Sequence, residues 1–159
     1  MATDASAINR LKEYKFRVEI NGYPAALCHE FNPGERTHGI TTHAGAGQNY
    51  PVKEVGMIQY GNCTMRQVVP LEGPGRTYFD DWLNQGQNPT TGNGGRPSDY
   101  QRNFSMYELD PYGNPSRIWE YKAGFPVRQV PGNRNAQSEN ADVIEEIEIA
   151  YSWRDLVVL

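Results

Sequence analysis

The side chains able to do chemistry are few and scattered. His29, His38 and His43 lie near one another in the sequence, and three imidazoles can ligate a metal. No carboxylate or cysteine completes a set at ligand spacing, so they read as solvated loop histidines. Gly45-Ala46-Gly47 has the composition of a phosphate cradle, yet neither a helix nor a P-loop lysine follows it, and flexibility is the simpler reading. Asp80 and Asp81 cannot act as a facing acid and base, because adjacent residues of a helix point in different directions. Glu145, Glu146 and Glu148 could suggest calcium binding or glycoside hydrolysis. On a strand, however, Glu146 and Glu148 share one face and Glu145 takes the other, which fits a solvated or interface surface better. Cys28 and Cys63, the only cysteines, sit in apolar strand-like runs and read as buried free thiols. No nucleophile elbow, zincin helix or paired-cysteine zinc pattern occurs. The sequence thus offers no enzyme signature, and no cofactor or metal is expected.

The elements that would position these residues are mostly strands. Tyr14, Phe16, Val18 and Ile20 alternate with Lys15, Arg17 and Glu19, predicting a half-buried strand. Asn21-Gly22 follows with hairpin chemistry, so residues 25–31 are expected to return antiparallel. Residues 32–51 form a glycine-rich stretch, read as a mobile loop or an extended hairpin that is either disordered or ordered by a partner. Residues 57–69 predict a strand with Cys63 and Met65 on one face and Asn62, Thr64 and Arg66 on the other. After Gly73-Pro74-Gly75 comes the one convincing helix, in which Tyr78, Phe79, Trp82 and Leu83 fall on a single face and are expected to pack on the sheet.

Residues 87–99 read as a second long loop. Residues 103–130 predict two strands around the turn Asp110–Pro115, with Pro126 forcing an edge, bulge or bend in the second. From Asp142 to Trp153, Ile147, Ile149, Tyr151 and Trp153 alternate with polar or small residues, predicting a last half-buried strand. The expected fold is mainly β: a small β-sandwich or barrel of six to seven antiparallel strands with one flanking α-helix. It is read as a single domain over 1–159, opening on an arm over 1–12 with a helical turn around Ile8 and Leu11.

Composition narrows the function. At 159 residues the chain can bury a proper core. Its net charge of −4 disfavours a dedicated nucleic-acid binder, which needs a basic surface. No apolar run is long enough for a membrane span, and the first residues lack the hydrophobic core of a signal peptide.

An ordered series of motifs carries a family resemblance. It starts with Tyr14–Ile20, Gly22 and Pro24-Ala25-Ala26. It continues through the glycine loop, Val52–Gly56 and Tyr60–Met65, then Phe79-Asp80-Asp81-Trp82 in the helix. Gly113-Asn114-Pro115, Trp119 and Ala123–Val127 follow, and Asn140–Ala150 closes the series. In these the chain resembles the inner tail-tube proteins of contractile phage tails and extracellular contractile injection systems. More distantly it is similar to the haemolysin-coregulated tube protein of type VI secretion.

The resemblance implies a structural subunit that forms hexameric rings stacked into a tube, with a central channel for DNA or effector passage. Implied partners are further copies of the chain, sheath protein, baseplate or spike, and tape-measure proteins. The implied location is a virion or a secreted injection particle, made and assembled in the bacterial cytoplasm. Two site groups are expected: a ring-stacking loop with Thr42, His43, Gly45, Gly47, Gln48 and Asn49, and a lumen or inter-subunit face with Asn62, Thr64, Arg66, Glu146 and Glu148. Two alternatives stand beside this reading. One is a tube initiator or adaptor joining tube to spike; the other, of a different class, is a monomeric β-sandwich that binds a ligand.

Overall fold

The computed structural model describes residues 10–139 and 141–159, and one long strand organises them. The chain forms β1 (Phe16–Ile20), β2 (Cys28–Asn32), β3 (Arg36–His43), β4 (Val52–Tyr60), β5 (Cys63–Val68), α1 (Tyr78–Gly86), a short α2 (Pro97–Tyr100), β6 (Arg102–Leu109), β7 (Pro115–Val130), β8 (Ile144–Ala150) and β9 (Trp153–Val158). All pairings are antiparallel. Among the described residues seven strands follow the order β1-β6-β7-β8-β5-β2 with β9 also on β7, while β3 and β4 pair only with each other.

Strand β7 belongs to two layers. Its first half pairs with β6 on one side and β9 on the other; its second half pairs with β8. The change falls at Ala123, whose φ is +56°, and Gly124. A Cβ on Gly124 would stand 2.5 Å from the Phe104 ring, so only glycine lets β6 and β7 approach there. A bulge between Pro126 and Arg128 takes up the proline foreseen as an interruption.

Between the layers lie Val18, Ile20, Phe104, Met106 and Tyr121 from one sheet and Cys63, Met65, Ile147 and Ile149 from the other. Phe104 and Tyr121 stack at 4.6 Å. Helix α1 packs across the end where β1 stops and β6 starts, burying Phe79 and Trp82 completely, with Tyr78 and Leu83 half-buried beside them. Tyr78 donates to the Asn21 carbonyl at 2.6 Å, and Arg102 stacks over the Tyr78 and Trp82 rings. Residues 87–99 form a compact turn that ends in α2, where the Trp82 indole donates to the Tyr100 carbonyl.

Several expectations are corrected. Asn21-Gly22 does turn the chain, but a short 3-10 turn then carries β2 to the other sheet, where it pairs with β5 and not with β1. Residues 57–69 are two strands, broken at Gly61 and Asn62. Tyr14 precedes β1 and is exposed. Tyr151 and Ser152 interrupt the last strand, so the alternation reverses, turning Trp153 outward and Arg154 inward. Cys28 is only partly buried, whereas Cys63 is fully enclosed. Ile8 lies outside the described residues, and Leu11 is exposed.

Trp82→Ala empties a fully enclosed aromatic site and is expected to cost about 3–5 kcal/mol in denaturant titration; a loss below about 1 kcal/mol would place the indole outside the core. Gly124→Ala drives a methyl into the Phe104 ring, so destabilisation of about 1–3 kcal/mol is expected from overpacking, and an unchanged midpoint would show that β6 and β7 need no close approach.

Candidate assembly surfaces

The residues singled out from sequence divide between a hairpin tip and a sheet face. Strands β3 and β4 form a two-stranded hairpin in which Arg36 pairs with Tyr60 and His43 with Val52. A bulge between His38 and Ile40 lies where Gly39 and Gly56 meet; a Cβ on Gly56 would come within 2.9 Å of the Gly39 carbonyl carbon. Thr42 and His43 end β3, and Gly45, Gly47, Gln48 and Asn49 make the tip, all exposed. There the Gln48 side chain accepts from the Gly45 N–H at 2.8 Å, and Gly47 has φ +82°.

Residues 32–51 therefore include an eight-residue strand. Its chemistry also differs from a purely polar loop, because Ile40, Tyr50, Val55 and Met57 are each 68–79% exposed. Across the ladder Ile40 stands opposite Val55, and Ile58, opposite the polar His38, extends them into an apolar strip. Two of these residues, Val55 and Met57, belong to β4, which sequence reasoning had not joined to the loop. The apolar run Val52, Val55, Met57 and Ile58 directly after that loop was the available signal for a strand pairing back onto it. A two-stranded hairpin standing alone is marginal in water, and leaving large apolar side chains exposed forgoes about 1.5–3 kcal/mol each.

The second group is brought together on the outer face of β2, β5, β8 and β7. Thr64 pairs with Glu148 and Arg66 with Glu146. The Asn62 amide donates to Glu148 at 2.9 Å. Arg66 lies 3.7 Å from Glu30 and 3.6 Å from Glu146, and Arg128 approaches Glu146 at 3.4 Å. The face is thus a row of alternating charge in which three carboxylates (Glu30, Glu146 and Glu148) outnumber two guanidiniums. These half-exposed pairs contribute little to stability; their effect is on the potential of the surface.

Glu145 does not share that face. It is buried, accepting from the Gln67 amide at 3.1 Å and from the Gln129 amide, while Gln67 in turn accepts from the Tyr23 hydroxyl at 2.9 Å. This amide–carboxylate chain ties β7, β8 and β5 to the turn after β1. It corrects the reading of Glu145 as a solvated or interface residue. The helix group, Tyr78, Phe79, Trp82 and Leu83, serves the core as described. His29, His38 and His43 do not converge, and no group of metal-ligating side chains occurs among the described residues. No helix among them is long and apolar enough to cross a membrane.

Among the described residues both sheets end in open edges. In one these are β1 and β9; in the other, β2 and the second half of β7. Unpaired backbone groups along such edges are templates for a further strand.

Residues 12–153 match the family of the T4-like virus tail tube protein gp19. Among solved structures the chain is similar to one in the sheath–tube complex of an extracellular contractile injection system, PVC, in its extended state. The identity is 18% and the TM-score 0.74, over 99% of this chain and 100% of that one. It is also similar to one in the tube-terminating cap of the anti-feeding prophage, at 15% identity and TM-score 0.79 over 99% and 97%. A third, in the sixfold-symmetrised baseplate of the same prophage, has 21% identity and TM-score 0.65 over 99% and 98%. No curated protein matches.

Burial pushes the Cys63 thiol up to about 12, with the nearby Arg154 charge only partly opposing the shift. A raised thiol pKa keeps the group protonated and unreactive at neutral pH. Iodoacetamide at pH 8 should therefore label Cys63 rapidly only after denaturation, as read by mass spectrometry, and fast labelling of native protein would mean that the two layers separate readily.

Proposed function

The chain belongs to the T4-like virus tail tube protein gp19 family, and on that premise we propose that its copies close into hexameric rings stacked into a hollow tube. It is a structural subunit of the tube of a phage-like tail or contractile injection particle. The observation that carries the ring-and-stack reading is the β3–β4 hairpin with its exposed apolar strip. A second copy would cover Ile40, Val55 and Met57, with Thr42, His43, Gly45, Gly47, Gln48 and Asn49 at the point of contact between rings. The open edges support lateral closure, since unlike edges meeting head to tail generate rings. The sixfold averaging of the baseplate that contains a structural relative agrees with six copies.

Asn62, Thr64, Arg66, Glu146 and Glu148 are proposed to line the channel or the seam between neighbours. Their row supports passage of a polyanion such as DNA. A channel must not hold its cargo, and each free guanidinium would capture a phosphate and release counterions. Arg66 is flanked by Glu30 and Glu146, so its charge is engaged within the subunit. Repeated around a ring, the excess of carboxylates gives a weakly repulsive wall over about a Debye length of 8 Å. Sheath, baseplate and tape-measure proteins are the further proposed partners, with effector proteins as the other cargo class.

Deleting Thr42–Gln48 removes the hairpin tip and leaves both sheets intact. The shortened chain is expected to keep its β-type circular dichroism and cooperative melting, yet to form no tubes in negative stain where the full chain does. Tubes of normal length from the deleted chain would refute the hairpin's role.

A further inference from the structure

The reversal of alternation at Tyr151–Ser152 points one guanidinium into the molecule. Arg154 pairs with Tyr121 across β9 and β7, on the inward side. Among the described residues no carboxylate stands within ion-pairing distance of it. An ionised group in such a place must be compensated by other polar or π groups. Arg154 Nη1 donates to the Pro33 carbonyl at 2.7 Å and to the Gly34 carbonyl at 3.0 Å. Its guanidinium lies over the rings of Trp119, at 4.9 Å, and Tyr60, at 5.9 Å. Its Nε, also buried, has no partner among the described residues.

These contacts converge on the root of the hairpin. Pro33 and Gly34 precede β3, and Tyr60 ends β4. The Tyr121 hydroxyl donates to the same Pro33 carbonyl at 3.0 Å. Gly61 N–H donates to the Glu35 carbonyl at 2.9 Å, closing the root. Gly34 has φ +78°, and a Cβ there would come 2.6 Å from the Gly61 carbonyl oxygen, so the two root segments touch backbone to backbone. The carbonyls of Pro33 and Gly34 leave the β2 ladder and precede the β3 ladder. A single terminal nitrogen with two N–H groups can hold both, and the flat guanidinium that carries it can at the same time lie against Trp119 and Tyr60.

The geometry points to Arg154 as a positioning residue that clamps the base of the β3–β4 hairpin and fixes the direction in which it leaves the sandwich. The inference rests on the proposal that this hairpin contacts a neighbouring copy. The clamp orders the arm before it meets that copy, so the ordering entropy is not lost at the moment of association. Arg154 itself then need not touch the neighbour at all.

The test uses the full chain, first dilute and unassembled, then concentrated. Hydrogen exchange at the Gly61 amide reports the root, and exchange at the Ile147 amide on β8 reports the core. In Arg154→Met, Gly61 is expected to exchange at least about tenfold faster with Ile147 unchanged, as for a local opening. The concentration at which tubes begin to pellet should rise by a similar factor. Arg154→Lys, able to donate to the carbonyls but without a flat guanidinium to lie over Trp119 and Tyr60, should fall between the two.

Unchanged Gly61 exchange in Arg154→Met would overturn the clamp, as would faster exchange with unaltered pelleting. Should Arg154→Met lose core protection as well, Tyr121→Phe replaces it. That variant removes only the second donor to Pro33, and the same selective loss at Gly61 is then required. Because the exchange is read on unassembled chain, it stands or falls independently of the tip deletion that tests the hairpin's contact.

Discussion

The antiparallel ribbon of β7 with β8 and β9 is the interaction on which the rest of the structure depends. Its backbone ladder runs from Arg117 opposite Val158 to Val130 opposite Glu146, shared between two layers. One layer adds β6 and β1 to the ribbon; the other adds β5 and β2. A strand that changes layer must bend while keeping its backbone groups paired. Ala123 meets this with a left-handed conformation, its N–H accepted by the Asn103 side chain at 3.1 Å. Gly124 meets it by having no side chain. The helix then seals the end of the molecule at which this bend occurs.

What the ribbon cannot satisfy within one subunit defines the assembly. The core of the sandwich is closed, with Tyr121, Trp82 and Ile147 inaccessible to water. The β3–β4 hairpin and the open edges are not closed, and they are the features a soluble monomer normally suppresses. A tube subunit has the opposite requirement, and on the proposed function its edges and its projecting arm are where the next copy binds. Stability and assembly are thereby separated in the chain. The ribbon and α1 hold the fold, whereas the hairpin and edges hold little of it and remain available. Arg154 joins the two parts, standing in the ribbon while gripping the arm.

Local alternation made much of this legible. The two strands around Asp110–Pro115, the inward set Ile147 and Ile149, the helix face with Phe79 and Trp82, and the opposed faces of Cys63–Met65 and Thr64–Arg66 all follow from side-chain period. What depends on non-local partners was not legible. Asn21-Gly22 encodes a turn but not the sheet to which β2 travels, which is decided by packing against β5. The break at Tyr151–Ser152 carries no glycine or proline, so nothing local announces that Trp153 turns out and Arg154 turns in. Met57 was read into one strand with Cys63 and Met65, but nothing local shows that the apolar side chains of β4 are exposed, since exposure is a property of what is absent opposite them. Glu145 was assigned to its own face correctly, but the Gln67 and Gln129 partners that permit its burial come from other strands.

The central claim is that the β3–β4 hairpin is an assembly arm. It is tested most directly by a cryo-EM reconstruction of the polymer formed by the purified full-length chain. The account predicts stacked sixfold rings in which Ile40, Val55 and Met57 are buried against a copy in the adjoining ring. A polymer whose hairpins project into solvent, or a chain that stays monomeric at all concentrations, would contradict it.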